Sequence, residues 1–461
     1  MRRLDGKIGT SGGTDFGGTM SRPAQLWLAA AIAFLIGVSP ALSLPAQKMD
    51  SINLDRARVT LRNAYDVVKK HYYDPKFHGL DWDARYHEFD EKIKSAPSLS
   101  QAFGVVAGFL DGLNDSHTFF SPPSRPYRID YGYRMQLFGD NCYITRTRPG
   151  TDAVEKVNPG DQVLGYNNFA VNRGDFWKME YYFNNIALQK GSTLALRDPS
   201  GKERNVTVDA KVRQLKKVLD LTEEGGGFDI WDLIRDMENS DHVVRQRVVE
   251  TGGVAIWKMP EFFLTDVETD HLFDTVRKNK TLILDLRGNP GGAVDTLERM
   301  LGNTFDHDVK IGDRVGRKEM KPDIGKTRGG KAFSGKCIVL IDSGSASAAE
   351  LFARIVQLEH RGTVVGDRSS GSVMEAQGYS FSQGMDTKIF YGFSVTDADL
   401  IMSDGKSLEH AGVTPDELAV PTPQDIAAGR DPALARAAEL AGIKLNPVEA
   451  GKMFPFEWLP N

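Results

Sequence analysis

The chain has 461 residues, of which 41% are apolar and 26% are charged, and its formal net charge is −5. This length exceeds what one compact core holds, so roughly two or three domains are expected. The mild negative charge argues against nucleic acid or an anionic membrane as a partner, because both favour a basic surface. The two cysteines, Cys142 and Cys337, fit no metal-binding spacing and give no disulfide framework, so we expect both to be buried.

The N-terminal residues have the pattern of a secretory signal peptide. After Met20 one arginine precedes an apolar block at 26–38, and small residues at 41–43 or 44–46 offer a cleavage site. The block is too short to span a membrane comfortably. We predict a signal peptide within 1–46 and an exported protein, periplasmic or extracellular, that keeps no membrane span; an uncleaved anchor is the alternative.

Residues 50–125 are predicted to form an N-terminal helical domain. Apolar residues recur at helical spacing over 54–68 and again over 102–110. Asp74-Pro75 and Gly79 interrupt the pattern between these two runs. A small helical bundle accounts for the segment, apart from its last residues, which read LNDSHTFF.

Residues 130–213 consist of short alternating runs separated by Gly, Pro and Asn, which is typical of strands and turns. The sequence CYITRTRPGTDAVEKVNPGDQVLGYNNFAV at 142–171 resembles the PDZ domains of bacterial proteases. There a strand, a small helix and a Pro-Gly-Asp turn lead into the next strand. The resemblance implies a groove for an extended peptide, bound by strand addition or by its C-terminal carboxylate, with Tyr131-Gly132-Tyr133 as a candidate edge.

The second half of the chain has a different residue pattern, in which a charged segment precedes alternating strands and helices. Residues 214–250 are charged and interrupted by glycine, and we predict a connector. Apolar strands then alternate with amphipathic helices over 251–425, the pattern of an α/β layer fold, and 426–461 suggests one or two peripheral helices. The predicted fold is therefore multidomain α+β, with a helical bundle at 50–125, a PDZ-like β-rich domain at 130–213 and an α/β core.

Two segments of this core pass from a buried strand directly into a helix. The first, LIDSGSASAAELFARI at 340–355, crowds Ser343, Ser345 and Ser347 into the junction. Ser347 falls in the first helical turn, where free N–H groups and the positive helix end favour a developing oxyanion. Serine is also a preferred helix cap, so this segment alone does not distinguish a nucleophile from a cap.

The second segment is TLILDLRGNPGGAVDTLERML at 281–301. Its turn at 288–292 is rich in glycine, which lets bare backbone amides approach a ligand. No Gly-Lys-Ser or Gly-Lys-Thr follows, and the spacing is not G-x-G-x-x-G, which excludes the known phosphate-binding loops. An anion site lined by amides remains open.

LDLRGNPGG at 284–292 followed by GSASAAELFA at 344–353 strongly resembles the tail-specific, or C-terminal processing, serine proteases. The helical region, the PDZ-like segment and the closing GVTPDELAV at 412–420 follow in that family's order. The resemblance therefore covers most of the chain beyond the signal segment. It implies a ClpP/crotonase-like catalytic core at 251–425, a polypeptide substrate, and neither a metal nor an organic cofactor.

The resemblance also implies catalytic residues. The nucleophile would be the second serine of Ser-Ala-Ser-Ala-Ala-Glu, which is Ser347. The oxyanion hole would combine the N–H of Ala348 with an amide of Gly291 or Gly292. These donors would stabilise the negative charge that develops on the substrate carbonyl oxygen.

The sequence departs from the family's best-known pattern at the general base. The bacterial C-terminal processing enzymes carry a lysine in a Gly-Lys-Gly-Ser-Val loop, where this chain reads GDRSSGSVMEAQ at 366–377. Ser370 or Ser372 occupies the lysine position, and each is expected to be a turn residue. Arg368 cannot replace the lysine, because a guanidinium does not lose its proton near neutral pH. A Ser–Lys dyad is therefore not expected.

A branch similar to the tricorn protease core uses a histidine and a glutamate instead, and this sequence supplies both. Ser116-His117 ends the helical region, and Glu409 precedes the Gly-Val-Thr-Pro-Asp motif. His117 would accept the serine proton. Glu409 would orient the His117 ring, either by a direct contact or through Ser116 or a water molecule. His410 is the alternative base; if it and Glu409 lie on a strand, only one of them can face the site.

These features predict an exported serine endopeptidase with Ser347, His117, Glu409 and Ser116 in its active site. A non-catalytic ligand- or peptide-binding protein on the same fold is the alternative, because retinoid-binding relatives of this fold carry ligands. A scaffold protein that acts through its PDZ-like segment is a third hypothesis, but this hypothesis gives the α/β core no role. The sequence leaves the oligomeric state open.

Overall fold

The computed structural model describes residues 49–125, 127–214, 245–384 and 388–458. The predicted signal peptide and most of the predicted connector therefore lie outside the described residues. No helix within these stretches is long and apolar enough to cross a membrane. The two cysteines are both buried, as the composition predicted.

Three helices form the N-terminal part. They are α1 (Ser51–His71), α2 (Trp82–Lys94) and α3 (Leu99–Asp111), followed by strand β1 (Phe119–Ser121). Each helix begins at a side chain that accepts the N–H three residues ahead, namely Asp50, Asp81 or Ser98. Such caps satisfy a backbone donor that the first helical turn leaves free. The apolar helix faces pack on one another and on Phe393 and Val395, which anchors this part to the rest of the chain.

The next part is a separate antiparallel sheet with its own core. Its elements are β2 (Tyr127–Asp130), β3 (Tyr133–Phe138), β4 (Asn141–Thr147), α4 (Ala153–Lys156), β5 (Gln162–Tyr166), β6 (Phe169–Ala170), α5 (Phe176–Tyr181), β7 (Gly191–Arg197), β8 (Glu203–Asp209) and β9 (Lys211–Gln214). The strand order of the main sheet is β3-β4-β5-β7-β8, and β6 pairs with β5; β2 and β9 pair with each other in a separate two-stranded sheet. Strand β3 therefore lies at a sheet edge, and we call this part the β module.

The remaining elements form the α/β core. They are β10 (Arg247–Thr251), β11 (Val254–Lys258), α6 (Asp266–Val276), β12 (Thr281–Asp285), α7 (Val294–Thr304), β13 (Val309–Gly316), β14 (Asp323–Gly325), β15 (Lys336–Ile341), α8 (Ala348–Leu358), β16 (Gly362–Gly366), β17 (Met374–Gln383), β18 (Ile389–Ile401), β19 (Glu417–Leu418), α9 (Pro423–Ala427), α10 (Pro432–Leu440) and α11 (Pro447–Met453). The core sheet thus begins at Arg247, inside the segment predicted as a connector, because β10 pairs with β11.

The central sheet has the order β10-β11-β12-β15-β16-β19, and all its pairs except β10–β11 are parallel. Helices α6, α7 and α8 cover one face, and α10 and α11 cover the other. Burial on both faces explains why β12 and β15 are continuous apolar runs. The sequence suggested that the C-terminal helices are peripheral. In the structure α10 and α11 instead pack on the second face of the central sheet and bury it. The loops that follow β12 and β15 leave the sheet at the same edge.

A second sheet connects the helical part to the core. Its order is β1-β18-β13-β14, and β17 pairs with β18 over 389–399, on the edge opposite β1 and β13. Phe120 of β1 lies opposite Phe393 of β18 in an antiparallel register. Both rings are buried and contact each other, with centroids 5.5 Å apart. This pairing places the residues just before β1 beside the α/β core.

A buried ion network fixes α10 beneath the end of β12. The Arg287 guanidinium donates to both carboxylate oxygens of Asp285 and to both of Asp431, with three of the four bonds at 2.8 Å and one at 2.9 Å. Lys258 lies 3.2 Å from Asp285. Burial opposes ionisation of Asp285, but the charges of Arg287 and Lys258 bring its pKa well below its ordinary value.

Replacing Arg287 with Ala should lower the free energy of unfolding by about 3–5 kcal/mol, because the buried Asp285 and the half-buried Asp431 lose their shared partner. The midpoint of urea unfolding measures this loss. Arg62→Ala is the control, since Arg62 and Asp66 form an exposed pair and the midpoint should hardly move. Because the pKa of folded Asp285 is depressed, its stabilisation should be present above pH of about 4 and decline as the pH falls further. Equal shifts for the two variants would contradict the network's role.

Candidate active site

Ser347 occupies the turn between β15 and α8, with φ 54° and ψ −119°. Residues other than glycine rarely adopt a positive φ. Such a backbone conformation costs about 1–3 kcal/mol and persists where the surrounding contacts stabilise it. The Ser347 N–H lies 2.9 Å from the Ser372 carbonyl oxygen and 3.0 Å from a carboxylate oxygen of Glu350. The strained turn is therefore fixed from two sides.

The other two serines of this junction have structural roles. The hydroxyl of Ser345, which is fully buried, donates to the Leu286 carbonyl oxygen at 2.8 Å and closes the turn. The hydroxyl of Ser343 donates to the Leu137 carbonyl oxygen at 2.7 Å and joins the core to the β module. Ser347 is half-buried and is the one of the three that follows the turn and opens the helix.

Glu409, Ser116 and His117 form a continuous relay. The Ser116 hydroxyl donates to Glu409 Oε2 at 2.8 Å, and the Ser116 N–H donates to Glu409 Oε1 at 2.8 Å. His117 Nδ1 lies 2.8 Å from the same hydroxyl oxygen. A serine has a single O–H, which the carboxylate already accepts, so Nδ1 must carry a proton and donate it to Ser116. This tautomer leaves Nε2 of His117 with a free lone pair.

The environment of His117 suits a proton acceptor. Burial lowers the pKa of His117, while the charges of Glu409 and Asp115 oppose this change. The ring is therefore neutral near neutral pH and can take up a proton. Asp115 also holds the backbone in place, since it accepts the His117 N–H at 2.8 Å.

Hydrogen bonds connect this relay to the serine turn. The same Glu409 oxygen that binds Ser116 also accepts the Val373 N–H at 2.9 Å. Val373 follows Ser372, whose carbonyl oxygen accepts the Ser347 N–H. The structure thus brings the predicted residues into one network, but across the described stretches no direct hydrogen bond joins the Ser347 hydroxyl to His117.

His410 is turned away from this network. It lies in a turn with φ 59°, not on a strand as the sequence argument allowed. Its Nε2 lies 2.8 Å from the Asn114 carbonyl oxygen and 3.6 Å from Glu409. Nε2 of His410 therefore bonds to a backbone oxygen outside the relay. The hydrogen bond to Asn114, and not the alternation of side chains along a strand, separates His410 from the relay.

The predicted oxyanion donors differ in availability. The Gly291 N–H donates to the Asn289 side-chain oxygen at 2.8 Å, which leaves Gly292 as the candidate of the predicted Gly291–Gly292 pair. For Gly292 and Ala348, the hydrogen bonds of the described residues include no acceptor of either N–H. Their amides remain as the candidate pair. Gly291 contributes space instead, since a Cβ there would lie 2.7 Å from the Cβ of Ser347.

The β module packs directly against the serine turn. Gln136 on β3 donates to Asp342 at 2.6 Å, just ahead of the turn. Arg173 on the module donates to the Ser369 carbonyl oxygen at 3.0 Å. A cavity of about 780 Å³ lies between β3, α5 and the core, and Ser343 and Ser370 are among its lining residues. The edge strand of the module therefore borders a space that reaches the serine region.

Sequence reasoning missed Glu350, which accepts the Ser347 N–H. Its spacing contained a usable indication, because Ser-x-x-Glu at a helix start is the signature of a capping box. Ser370 and Ser372 bond to each other through their hydroxyls at 2.9 Å. Among the residues that the structure describes, no group of three or more His, Cys, Asp or Glu side chains could hold a metal ion.

A serine at a helix start, two amides without acceptors and a histidine–serine–glutamate relay are the components of a serine hydrolase site. Residues 250–419 match peptidase family S41, and residues 56–99 match the tricorn protease C1 domain. Residues 250–419 thus carry a peptidase family S41 domain, which agrees with the resemblance to tail-specific, C-terminal processing serine peptidases that the motifs predicted.

Individual relatives agree with this assignment. The chain is 26% identical to the tail-specific protease of Haemophilus influenzae over 72% of this chain and 49% of that protein. It is 24% identical to the chloroplastic carboxyl-terminal-processing peptidase 3 of Arabidopsis thaliana, over 75% of this chain and 68% of that protein. The chain therefore spans about half and two-thirds of these relatives' lengths.

A solved structure shares the fold. The structure of mature CPAF complexed with lactacystin aligns with a TM-score of 0.59 at 17% identity, over 82% of this chain and 96% of that chain. The mixed α/β architecture predicted from the sequence is confirmed at this level. At such low identity the likeness shows the fold alone.

Proposed function

We propose that this protein is an exported serine endopeptidase that hydrolyses peptide bonds of polypeptides. Ser347 is the nucleophile, His117 is the general base, and Glu409 acts on His117 through Ser116. The observation that carries the proposal is the relay, because it leaves Nε2 of His117 unprotonated within a network that also holds Ser347. Export rests on the sequence pattern of 1–46 alone.

The chemistry follows from these roles. Ser347 Oγ attacks the scissile carbonyl carbon while its proton passes to Nε2 of His117. The amides of Gly292 and Ala348 bind the oxyanion. His117 then protonates the leaving amine, and water attacks the resulting ester by the reverse sequence of proton transfers. Glu409 stabilises the imidazolium through the Ser116 hydroxyl. Because free enzymes often hold these groups loosely, the bond between Ser347 and His117 forms on substrate binding.

We further propose that the β module is PDZ-like and captures the C-terminal part of a substrate. Strand β3 is an edge strand, so its outer backbone groups can pair with an extended peptide. The cavity beside it runs between α5 and the core towards the serine turn. The names of the relatives, tail-specific protease and carboxyl-terminal-processing peptidase, fit this mode of capture.

A non-catalytic carrier on the same fold is the second candidate. The lack of a direct hydrogen bond between Ser347 and His117 across the described residues favours it. A relay of two further polar side chains favours the enzyme, because a carrier has no use for a histidine held with its free nitrogen unprotonated. The two candidates differ in the reactivity of a single hydroxyl.

A fluorophosphonate probe tests the proposal, since it reacts covalently with an activated serine. The purified protein should be labelled, and peptide mapping should place the adduct on Ser347. Labelling should fall as the pH is lowered and return when the pH is restored, because protonated His117 cannot accept the serine proton. A protein that is folded at neutral pH but takes up no probe would support the carrier.

The relay itself gives a separate prediction. Ser116→Ala and Glu409→Gln should each lower kcat by about 10- to 100-fold, since each breaks the support of the imidazolium. The double variant should be no slower than the slower single variant, because groups that act as one unit are not additive. Peptide hydrolysis under saturating substrate measures all three. Multiplicative losses would show that Glu409 acts on His117 by another route.

A further inference from the structure

Glu350 is a fully buried carboxylate that the proposed chemistry does not use. It lies in the first turn of α8, three residues after Ser347, and its exposure is 0%. Buried carboxylates usually pair with a cation, because an unpaired charge is costly away from water. Within the described stretches, no Lys, Arg or His forms an ion pair with Glu350. Its charge must be satisfied in another way.

Four hydrogen-bond donors surround this carboxylate, two on each oxygen. Oε1 accepts the Ser369 hydroxyl at 2.6 Å and the Gly371 N–H at 2.7 Å. Oε2 accepts the Ser372 N–H at 2.9 Å and the Ser347 N–H at 3.0 Å. A carboxylate that accepts this many bonds is stabilised in its ionised form. The donors belong to the serine turn and to the loop at 369–372.

Three of these bonds are fixed in direction, because their donors are backbone amides. The fourth donor is the Ser369 hydroxyl, whose oxygen accepts the Val413 N–H at 2.6 Å and whose proton points to Glu350. A protonated Glu350, or a glutamine, would present a hydrogen that only a reversed Ser369 hydroxyl could accept. With its hydrogen bonds as they stand, the site therefore fits a carboxylate.

These bonds place Glu350 between the nucleophile and the base. It joins the Ser347 amide to the loop at 369–372, and the next residue, Val373, binds Glu409. Removing the carboxylate would leave the Ser347 N–H, among the described residues, with the Ser372 carbonyl oxygen as its one acceptor. Because the Ala348 amide follows directly, its direction depends on the same turn.

We propose that Glu350 is a positioning residue for the reaction of Ser347: its ionised carboxylate clamps the serine turn to the loop at 369–372. In this way it keeps the serine hydroxyl and the Ala348 amide aimed at the substrate carbonyl. The inference rests on the proposed peptidase function. It adds to that function a residue that touches neither the substrate nor the histidine.

The clamp should respond to pH. Burial raises the pKa of Glu350 to about 7, although its four hydrogen bonds lower it. The ionisable groups on the surrounding elements are Asp367 and Arg368 on the loop, and Glu409 and His117 beyond it. As the pH falls through about 7, Glu350 gains a proton that its three backbone donors cannot accept. Activity should therefore decline before the pH is low enough to protonate His117.

Glu350→Gln tests the inference. We expect kcat for peptide hydrolysis to fall about 10²-fold, the usual cost of a misplaced reacting group, while KM changes less than about threefold. The acid midpoint of fluorophosphonate labelling should move from about 7 to a lower pH, because only His117 then titrates. Glu298→Gln is the matched control: burial also raises the pKa of Glu298, which lies on α7, and this variant should keep the wild-type kcat and midpoint.

The outcomes separate the inference from the function on which it rests. A folded Glu350→Gln protein with wild-type kcat and an unmoved midpoint would overturn the clamp and leave the peptidase intact. A wild-type protein that never labels at Ser347 would overturn both. If Glu350→Gln does not fold, Ser369→Ala removes a single donor and should lower kcat about 3- to 10-fold, the value of about 1 kcal/mol for one hydrogen bond. An unchanged kcat in that variant would also count against the clamp.

Discussion

Ser347→Ala should abolish peptide hydrolysis, lowering kcat by about 10⁴- to 10⁶-fold, as removal of a serine nucleophile does. The serine turn should survive, because the backbone N–H of Ser347, which alanine keeps, bonds to Glu350 and to Ser372. An unchanged thermal unfolding midpoint would show this. Any residual rate would come from the oxyanion amides and from substrate binding.

The control for this variant is Ser370→Ala. Ser370 belongs to the adjoining loop, and its hydroxyl bonds only to that of Ser372 in the described part of the chain. Its removal should leave hydrolysis within about twofold of the wild-type rate, as for most changes outside the reacting groups. If Ser347→Ala retained a tenth or more of the wild-type kcat, another residue would be the nucleophile.

His117→Ala should lower kcat by about 10²- to 10⁴-fold, the range typical of a general base. The ring bonds to Ser116 through Nδ1, and the loss of one hydrogen bond should lower the free energy of unfolding by only about 1 kcal/mol. Measuring the rate from pH 5 to 9 adds a second criterion. The variant should gain rate steadily with pH as hydroxide replaces the missing base, whereas the wild type should reach a plateau.

His410→Ala is the matched control, because His410 lies beside Glu409 but donates to the Asn114 carbonyl. Its rate should stay within about threefold of the wild type, since its loss removes one partly exposed hydrogen bond. A loss of only two- to threefold in His117→Ala, with a large loss in His410→Ala, would exchange the two roles. The network around Ser116 would then need another explanation.

The oxyanion site shows where sequence reasoning reaches its limit. The turn at 288–292 was recognisable as a backbone-amide site from its glycines, and the adjacent strands β12 and β15 from their continuous apolar runs. Which amide is free was not predictable, because the Asn289 side chain takes the Gly291 N–H through a local hydrogen bond. Glu350 was missed for a related reason, since its partners at 369–372 lie in a separate loop.

The sequence by itself determined the strand-to-helix junctions, the serine at the start of α8 and the resemblance to peptidase family S41. These features depend on short-range patterns of apolar residues, glycines and helix-start residues. The tertiary structure alone decided that β1 pairs with β18, which carries Ser116 and His117 to Glu409. It also decided that His410 bonds to Asn114 instead. Contacts between residues hundreds of positions apart depend on sheet pairing and packing, and no local pattern specifies them.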